Sequence, residues 1–371
     1  MLVFTYFYTF KDYPLKGSIK SIPWYGKLLI LLGIYLIGET IFAMVAVEII
    51  NAAFPGMDFL NFITGFEKIT SSDSVTLQQE RALKIYQFTT SVGRFILVAW
   101  IYIYLCGENF WSYLSLDKKI KSVSIGTIIL IVMASGAIIS VINEWNQNLH
   151  LPAAWHEMES TMRSLEEQAK VQTEVFLRTT VFGGFLLNVL IIGFLAAIGE
   201  EIFFRGLLQN IIFRAAKNAH LAIWISAFLF SFIHFQFFGF FPRLLMGALL
   251  GYLYFYSGSL WSAILAHFVN NIATVIAYYL LNKGLIEDNI TEETNIWAAL
   301  ISIPFVFLLL RYFQRTETPL SLADGKRLDD GVCECGPRRK GIYRSRSVSR
   351  KRVWRQIRGS VRCRPQKQVH D

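Results

Sequence analysis

Two adjacent carboxylates and an arginine, Glu200, Glu201 and Arg205 in the run GEEIFFR, stand in one of the most apolar parts of this chain. Val181 to Ile198 carries no charge, and neither does Gly206 to Phe213. An ionisable group at bilayer depth is costly unless a partner or water rescues it, which makes each of the three a functional candidate. On a helix Glu201 and Arg205 are four residues apart, share a face and can pair as structural support. Glu200 lies about 100° round the helix and is left to act on something else. Further along, Phe230 and His234 (FSFIH), then His267 and Asn271 (HFVNN), repeat the four-residue spacing that sets two side chains on one helix face.

A glutamate, two histidines and an asparagine suffice to hydrolyse an amide without a covalent intermediate. A carboxylate in apolar surroundings is a competent base for water. A histidine opposite it can orient that water or exchange protons. A second histidine and an amide on one face can donate hydrogen bonds to a developing oxyanion. A second version is equally open: Glu200, His234 and His267 hold one divalent metal such as zinc, which generates the hydroxide. Each residue also has a plain alternative. A lone histidine or asparagine in a membrane is more often a helix–helix hydrogen bond, and a Glu–Arg pair is often only a fastener. Three correctly spaced pairs in successive apolar segments are hard to account for as fasteners alone.

The elements that must position these groups are transmembrane helices. The 371 residues are 54% hydrophobic and 15% aromatic, well away from a soluble composition. Eight long apolar runs stand out, at about 28–50, 85–106, 122–142, 178–215, 219–238, 242–257, 259–282 and 295–313. The expected fold is therefore all-α, a polytopic membrane protein of about eight transmembrane helices with the active site inside the bundle. Glu200 lies 17 residues before a turn near Lys217 and His234 lies 17 after it. A regular helical hairpin sets both about 25 Å from the bend, facing each other. His267 and Asn271, near the start of the seventh span, can reach the same cavity.

Charge patterning orients the bundle. Basic loops (Lys118, Lys119 and Lys121; Arg214 and Lys217) alternate with acidic ones (143–176 and 283–294), which places both termini in the cytoplasm. Arg243 is the exception. Residues 1–27 suit an interfacial segment, and no cleavable signal peptide is expected. Glu39 and Arg94, near the middle of the first two spans, are expected to pair. Of the cysteines, Cys106 sits at a helix end and Cys333, Cys335 and Cys363 in the tail, with neither zinc-site spacing nor a disulfide framework. Residues 315–371 hold 16 Lys/Arg against 6 Asp/Glu, so the net charge of +9 belongs to a basic tail read as disordered and solvated.

EEIFFR, FSFIH and HFVNN resemble, in order, the EExxxR, FxxxH and HxxxN motifs of the CAAX protease and bacteriocin-processing (Abi) family of intramembrane proteases. The resemblance covers about residues 177–282. It implies that Glu200 acts as base with His234 while His267 and Asn271 stabilise the oxyanion, with Glu201, Arg205 and Phe230 in support. It also implies proteolysis, with removal of the last three residues of prenylated proteins in eukaryotic members. The expected organisation is a membrane region with three helices (1–176), a catalytic core (177–282), a last transmembrane helix (283–314) and the tail (315–371). The expected partners are the lipid bilayer and a membrane-associated protein or peptide substrate, with no specific nucleic acid. The expected location is the plasma (inner) membrane of a prokaryote. Other intramembrane proteases fit worse: there is no H-E-x-x-H and no G-x-S-x-G, and the apolar runs contain no aspartate. The alternative from another class is a non-catalytic scaffold, or an immunity-type protein that binds a peptide without cleaving it.

Overall fold

The computed structural model describes residues 15–66, 69–287 and 295–320. The start of the interfacial segment, the end of the acidic 283–294 loop, the three tail cysteines and nearly all of the basic tail fall outside them. Among the described residues nine main helices carry the architecture: α1 (Trp24–Ala53), α2 (Leu77–Cys106), α3 (Ser122–Gln147), α4 (His156–Leu177), α5 (Phe182–Ala216), α6 (Ala219–Phe232), α7 (Phe240–Ser257), α8 (Leu260–Asn282) and α9 (Ile296–Thr316). All but α4 and α6 are long and apolar enough to cross a bilayer. With the shorter apolar α6 they make the expected eight, and the described residues contain no strand.

Local chemistry sets the helix ends. Thr76 and Gln79 form a reciprocal capping box that opens α2. Gly107, at φ +80°, closes it. Asn218 accepts the Leu221 N–H and starts α6 directly after Lys217 has turned the chain in the left-handed region. One apolar cluster joins α1, α2, α3, α5, α7, α8 and α9 through Leu31, Tyr102, Ile131, Leu207, Leu250, Ile264 and Phe313.

Two departures from the expected spans matter for function. The fifth does not run to residue 238: α6 stops at Phe232, after fourteen residues or about 21 Å. The chain then turns through Phe235, at φ +53°, and a short turn at Phe237–Gly239 before α7 begins. The apolar run FQFFGFF hides this break from hydropathy, because aromatic residues serve a turn packed in protein as well as a helix. The acidic connection 143–176 is also more than a loop. It contains the polar helix α4, whose Val171 and Val175 face inward while Glu157 and Glu167 are exposed.

Hydrogen bonds tie the loops into two opposite faces. On one, Gly17 N–H donates to Tyr104 O (3.2 Å) and Leu260 N–H to Ser115 O (3.4 Å). There too Trp261 Nε1 donates to Leu116 O (2.9 Å), and Lys121 N–H to Glu317 Oε1 (2.9 Å). Lys20, Lys27 and Arg214 meet around one cavity on this basic face. On the other, Asn146 donates to Phe237 O (3.1 Å) and accepts from Phe241 N–H (2.9 Å), while Arg178 holds Ser72 O and Val75 O (both 2.7 Å). Loop backbone in an apolar bundle needs such partners, since lipid supplies none. Helix α4 and the turn after α6 both belong to this second, acidic face.

Candidate active site in the helical bundle

Helix α5 carries the carboxylates through the middle of the bundle, and it is not a regular helix. Wide π-type turns occupy Val189–Leu195 and Ile202–Gln209. Such turns insert a residue and loosen the backbone ladder, and they cluster at functional sites. Gly199, which leads into Glu200, lies against α2: a Cβ there would meet the Phe95 ring at 2.8 Å. Only glycine lets the two helices approach this closely.

Glu201 and Arg205 are both fully buried, with Arg205 Nη1 2.7 Å from Glu201 Oε1. Arg205 Nη2 also donates to Gly247 O on α7 (2.9 Å), and its guanidinium stands 4.7 Å above the Phe230 ring. One turn on, Gln209 Nε2 donates to Gly251 O (3.3 Å). The glycines of GALLG thus expose two carbonyls to two α5 side chains. A Cβ at Gly247 would lie 3.2 Å from Ala227 and Phe230, so α6 and α7 also touch here. Neither glycine belongs to the three motifs, although the small-xxx-small spacing of GALLG is a usable sequence signal.

Glu200 is the accessible member of the pair, with 20% of its side chain exposed. His267 stands between the two carboxylates. Its Nδ1 is 2.8 Å from Glu201 Oε1, and its Nε2 is 3.7 Å from Glu200 Oε2. Glu201 therefore serves two partners, where the sequence suggested only Arg205. With Nδ1–H donated to Glu201, Nε2 can donate in turn only when the ring carries a second proton.

His234 follows the end of α6 instead of lying on a regular helix, which corrects the hairpin geometry expected from the sequence. Its Nδ1–H donates to Phe230 O at 2.6 Å. A carbonyl only accepts, so that bond leaves Nε2 as the bare nitrogen. Phe230 meets both histidine rings edge-on, at 5.1 Å from His234 and 6.0 Å from His267. His234 lies within electrostatic reach of Glu200 and His267. Asn271, one turn beyond His267 on α8, donates from Nδ2 to Ile192 O at 3.1 Å. That carbonyl belongs to the first wide turn of α5. Asn271 is thus held across the site with its second N–H still to place.

Further groups near Glu200 come from outside the three motifs. Arg94 Nε meets Glu39 Oε2 at 3.1 Å, joining α1 to α2, and Tyr35 lies close enough for Glu200 and Arg94 both to act on it. Arg243, odd as a loop charge, belongs to the site's rim: its Nη2 donates to Gln236 Oε1 at 2.6 Å. Among the described residues no three His, Cys, Asp or Glu side chains group in a way that could hold a metal. Glu200, His234 and His267, the three residues that could hold a divalent metal, are not so grouped in this arrangement.

Residues 182–273 match a family model described as Rce1-like, type II CAAX prenyl endopeptidase. The match spans all three motifs and bears out the resemblance read from them. No curated protein and no solved structure matches the chain.

Proposed function

We propose, on the premise that residues 182–273 are of the Rce1-like CAAX endopeptidase kind, that this chain is an intramembrane endopeptidase cutting a membrane-associated or lipidated protein or peptide. One observation carries the reading: of two neighbouring carboxylates, Glu201 is fully buried between Arg205 and His267, while Glu200 stays accessible beside His267.

In this reading Glu200 takes a proton from a water held between it and His234 Nε2. The water oxygen adds to the peptide carbonyl carbon, and the carbonyl oxygen becomes an oxyanion. The second N–H of Asn271 and protonated Nε2 of His267 donate to it. The C–N bond then breaks as the proton passes from Glu200 to the leaving amine, which leaves a new carboxylic acid and restores the base. Glu201, Arg205 and Phe230 position this apparatus: the carboxylate fixes the His267 ring, and Phe230 packs against both imidazoles and the guanidinium. The basic face is assigned to the cytoplasm by its lysines and arginines, in keeping with a prokaryotic plasma membrane.

The test is cleavage of a fluorogenic S-farnesylated cysteine peptide by purified protein in bicelles. Glu200→Gln keeps size and hydrogen bonding but removes basicity, so turnover should vanish while the fold persists. A chelator should leave the wild-type rate unchanged. Loss of activity on chelation, restored by zinc, would move the chemistry to the metal version. Cleavage by Glu200→Gln at the wild-type rate would remove the protease assignment and put the scaffold reading in its place.

A further inference from the structure

Arg243 is the charge that the proposed chemistry leaves unused. It sits in the first turn of α7, four residues before Gly247, whose carbonyl holds Arg205. Four residues on a helix are about one turn, so Arg243 lies on the same side of α7 about 6 Å nearer the acidic face. It is close enough to Glu200 and His234 to act on both electrostatically. Its Nη2 donates to Gln236 Oε1. Nη1 is buried and has no hydrogen-bond partner among the described residues.

The carboxylate nearest to hand does not fill that place. Glu166, reaching in from α4, accepts at Oε1 from Gln236 Nε2 (3.4 Å), and the backbone N–H groups of Phe238 and Gly239 act on its carboxyl. Gln236 therefore stands between the two charges. Gly239 supplies the room: a Cβ there would lie 3.1 Å from Arg243 Nη2 and 3.4 Å from Glu166 Oε1. Burial pushes the Glu166 carboxyl above its ordinary value, against the pull of Arg243 and the two backbone N–H groups. An arginine so placed has a donor to spare and a fork geometry suited to a carboxylate.

We infer that Arg243, steadied by Gln236, binds the C-terminal carboxylate of the peptide substrate and so sets where along the chain the cut falls. The inference rests on the peptidase reading above. A peptide lying past Glu200 towards the acidic face brings its chain end to this guanidinium, and an internal segment of a longer protein has no group to offer there. Gln236 is a positioning residue: it holds one guanidinium nitrogen and leaves the other without a hydrogen-bond partner among the described residues.

Two S-farnesylated cysteine peptides, identical except that one ends in a free carboxylate and the other in a carboxamide, test this on the full-length protein. Wild type should favour the acid by about 10- to 100-fold in kcat/KM, chiefly through KM, the range for a hydrogen bond to a charged group. Arg243→Gln should bring the two peptides level, and Arg243→Lys should restore part of the preference. Binding of both peptides to Glu200→Gln is measured alongside. A preference for the acid in binding, with no cleavage by wild type, would sink the peptidase reading and leave the carboxylate site standing. Equal binding of the two peptides by Glu200→Gln, no measurable binding of either, or a preference that survives Arg243→Gln overturns the inference.

Discussion

Replacing Glu201 by glutamine separates what the buried pair does for the fold from what it does for the site. Both partners are fully buried, and stranding one member of such a pair costs about 3–5 kcal/mol. Glutamine keeps an oxygen for Arg205 Nη1, and Glu200 lies within reach of the stranded guanidinium. The loss should therefore fall at the low end, about 3 kcal/mol, or roughly 10²-fold in the folding equilibrium. Glu201→Gln with Arg205→Met removes the stranded charge and should return stability to within about 1 kcal/mol of wild type. Activity should not follow. His267 Nδ1 loses its carboxylate in both variants, and an imidazole deprived of its orienting partner costs about 10²-fold or more in rate. Reversible unfolding by steric trapping in bicelles reads the first quantity, and peptide cleavage reads the second. A single variant as stable as wild type, or a double variant no more stable than the single, would refute this account of the pair.

Reporter fusions after residues 165 and 320 should lie on opposite sides of the membrane, because α4 belongs to the acidic face and Leu320 N–H bonds Phe255 O near the basic one; a common side would refute the topology. Asn271→Ala should lower kcat by about 10²- to 10³-fold, less than Glu200→Gln, as one oxyanion donor of several; a wild-type rate would remove Asn271 from the chemistry. Glu159 is held at about 2 by the Leu151 N–H, Arg163 and His150. A lowered carboxyl contributes stability that is complete above its ordinary 4.5 and fades as pH falls towards 2. Exchange of the Leu151 amide should thus lose protection across that window in wild type. In Glu159→Gln it should be weakly protected throughout, and an unchanged wild-type profile would count against the contact.

The motif residues were legible because their spacing is local. Glu201 with Arg205 and His267 with Asn271 each lie four apart on one helix, and the apolar runs that carry them are long. What stayed hidden depends on contacts between helices. That His267 bridges both glutamates follows from how α8 crosses α5. The wide turn that frees Ile192 O for Asn271 leaves no mark in an apolar run. His234 keeps its relation to Phe230 although it lies beyond the helix, so the motif was readable where the element was not. Arg243 looked like a misplaced loop charge until Gln236 and Glu166 gave it surroundings, and those residues are 7 and 77 positions away along the chain.

Helix α6 faces outward with Leu221, Trp224, Phe228 and Phe232 exposed along it, yet it measures about 21 Å against a hydrocarbon core of about 30 Å. Hydrophobic mismatch of this size is relieved by thinning of the surrounding leaflet. The dent would form beside the turn that carries His234, and headgroups and water would descend there towards the level of Glu200. A peptide tethered to the bilayer by a lipid could then slide sideways into the bundle at its own depth. Extraction of the anchor, which at about 0.8 kcal/mol per methylene would dominate the energetics of any soluble protease acting on such a substrate, would not be required.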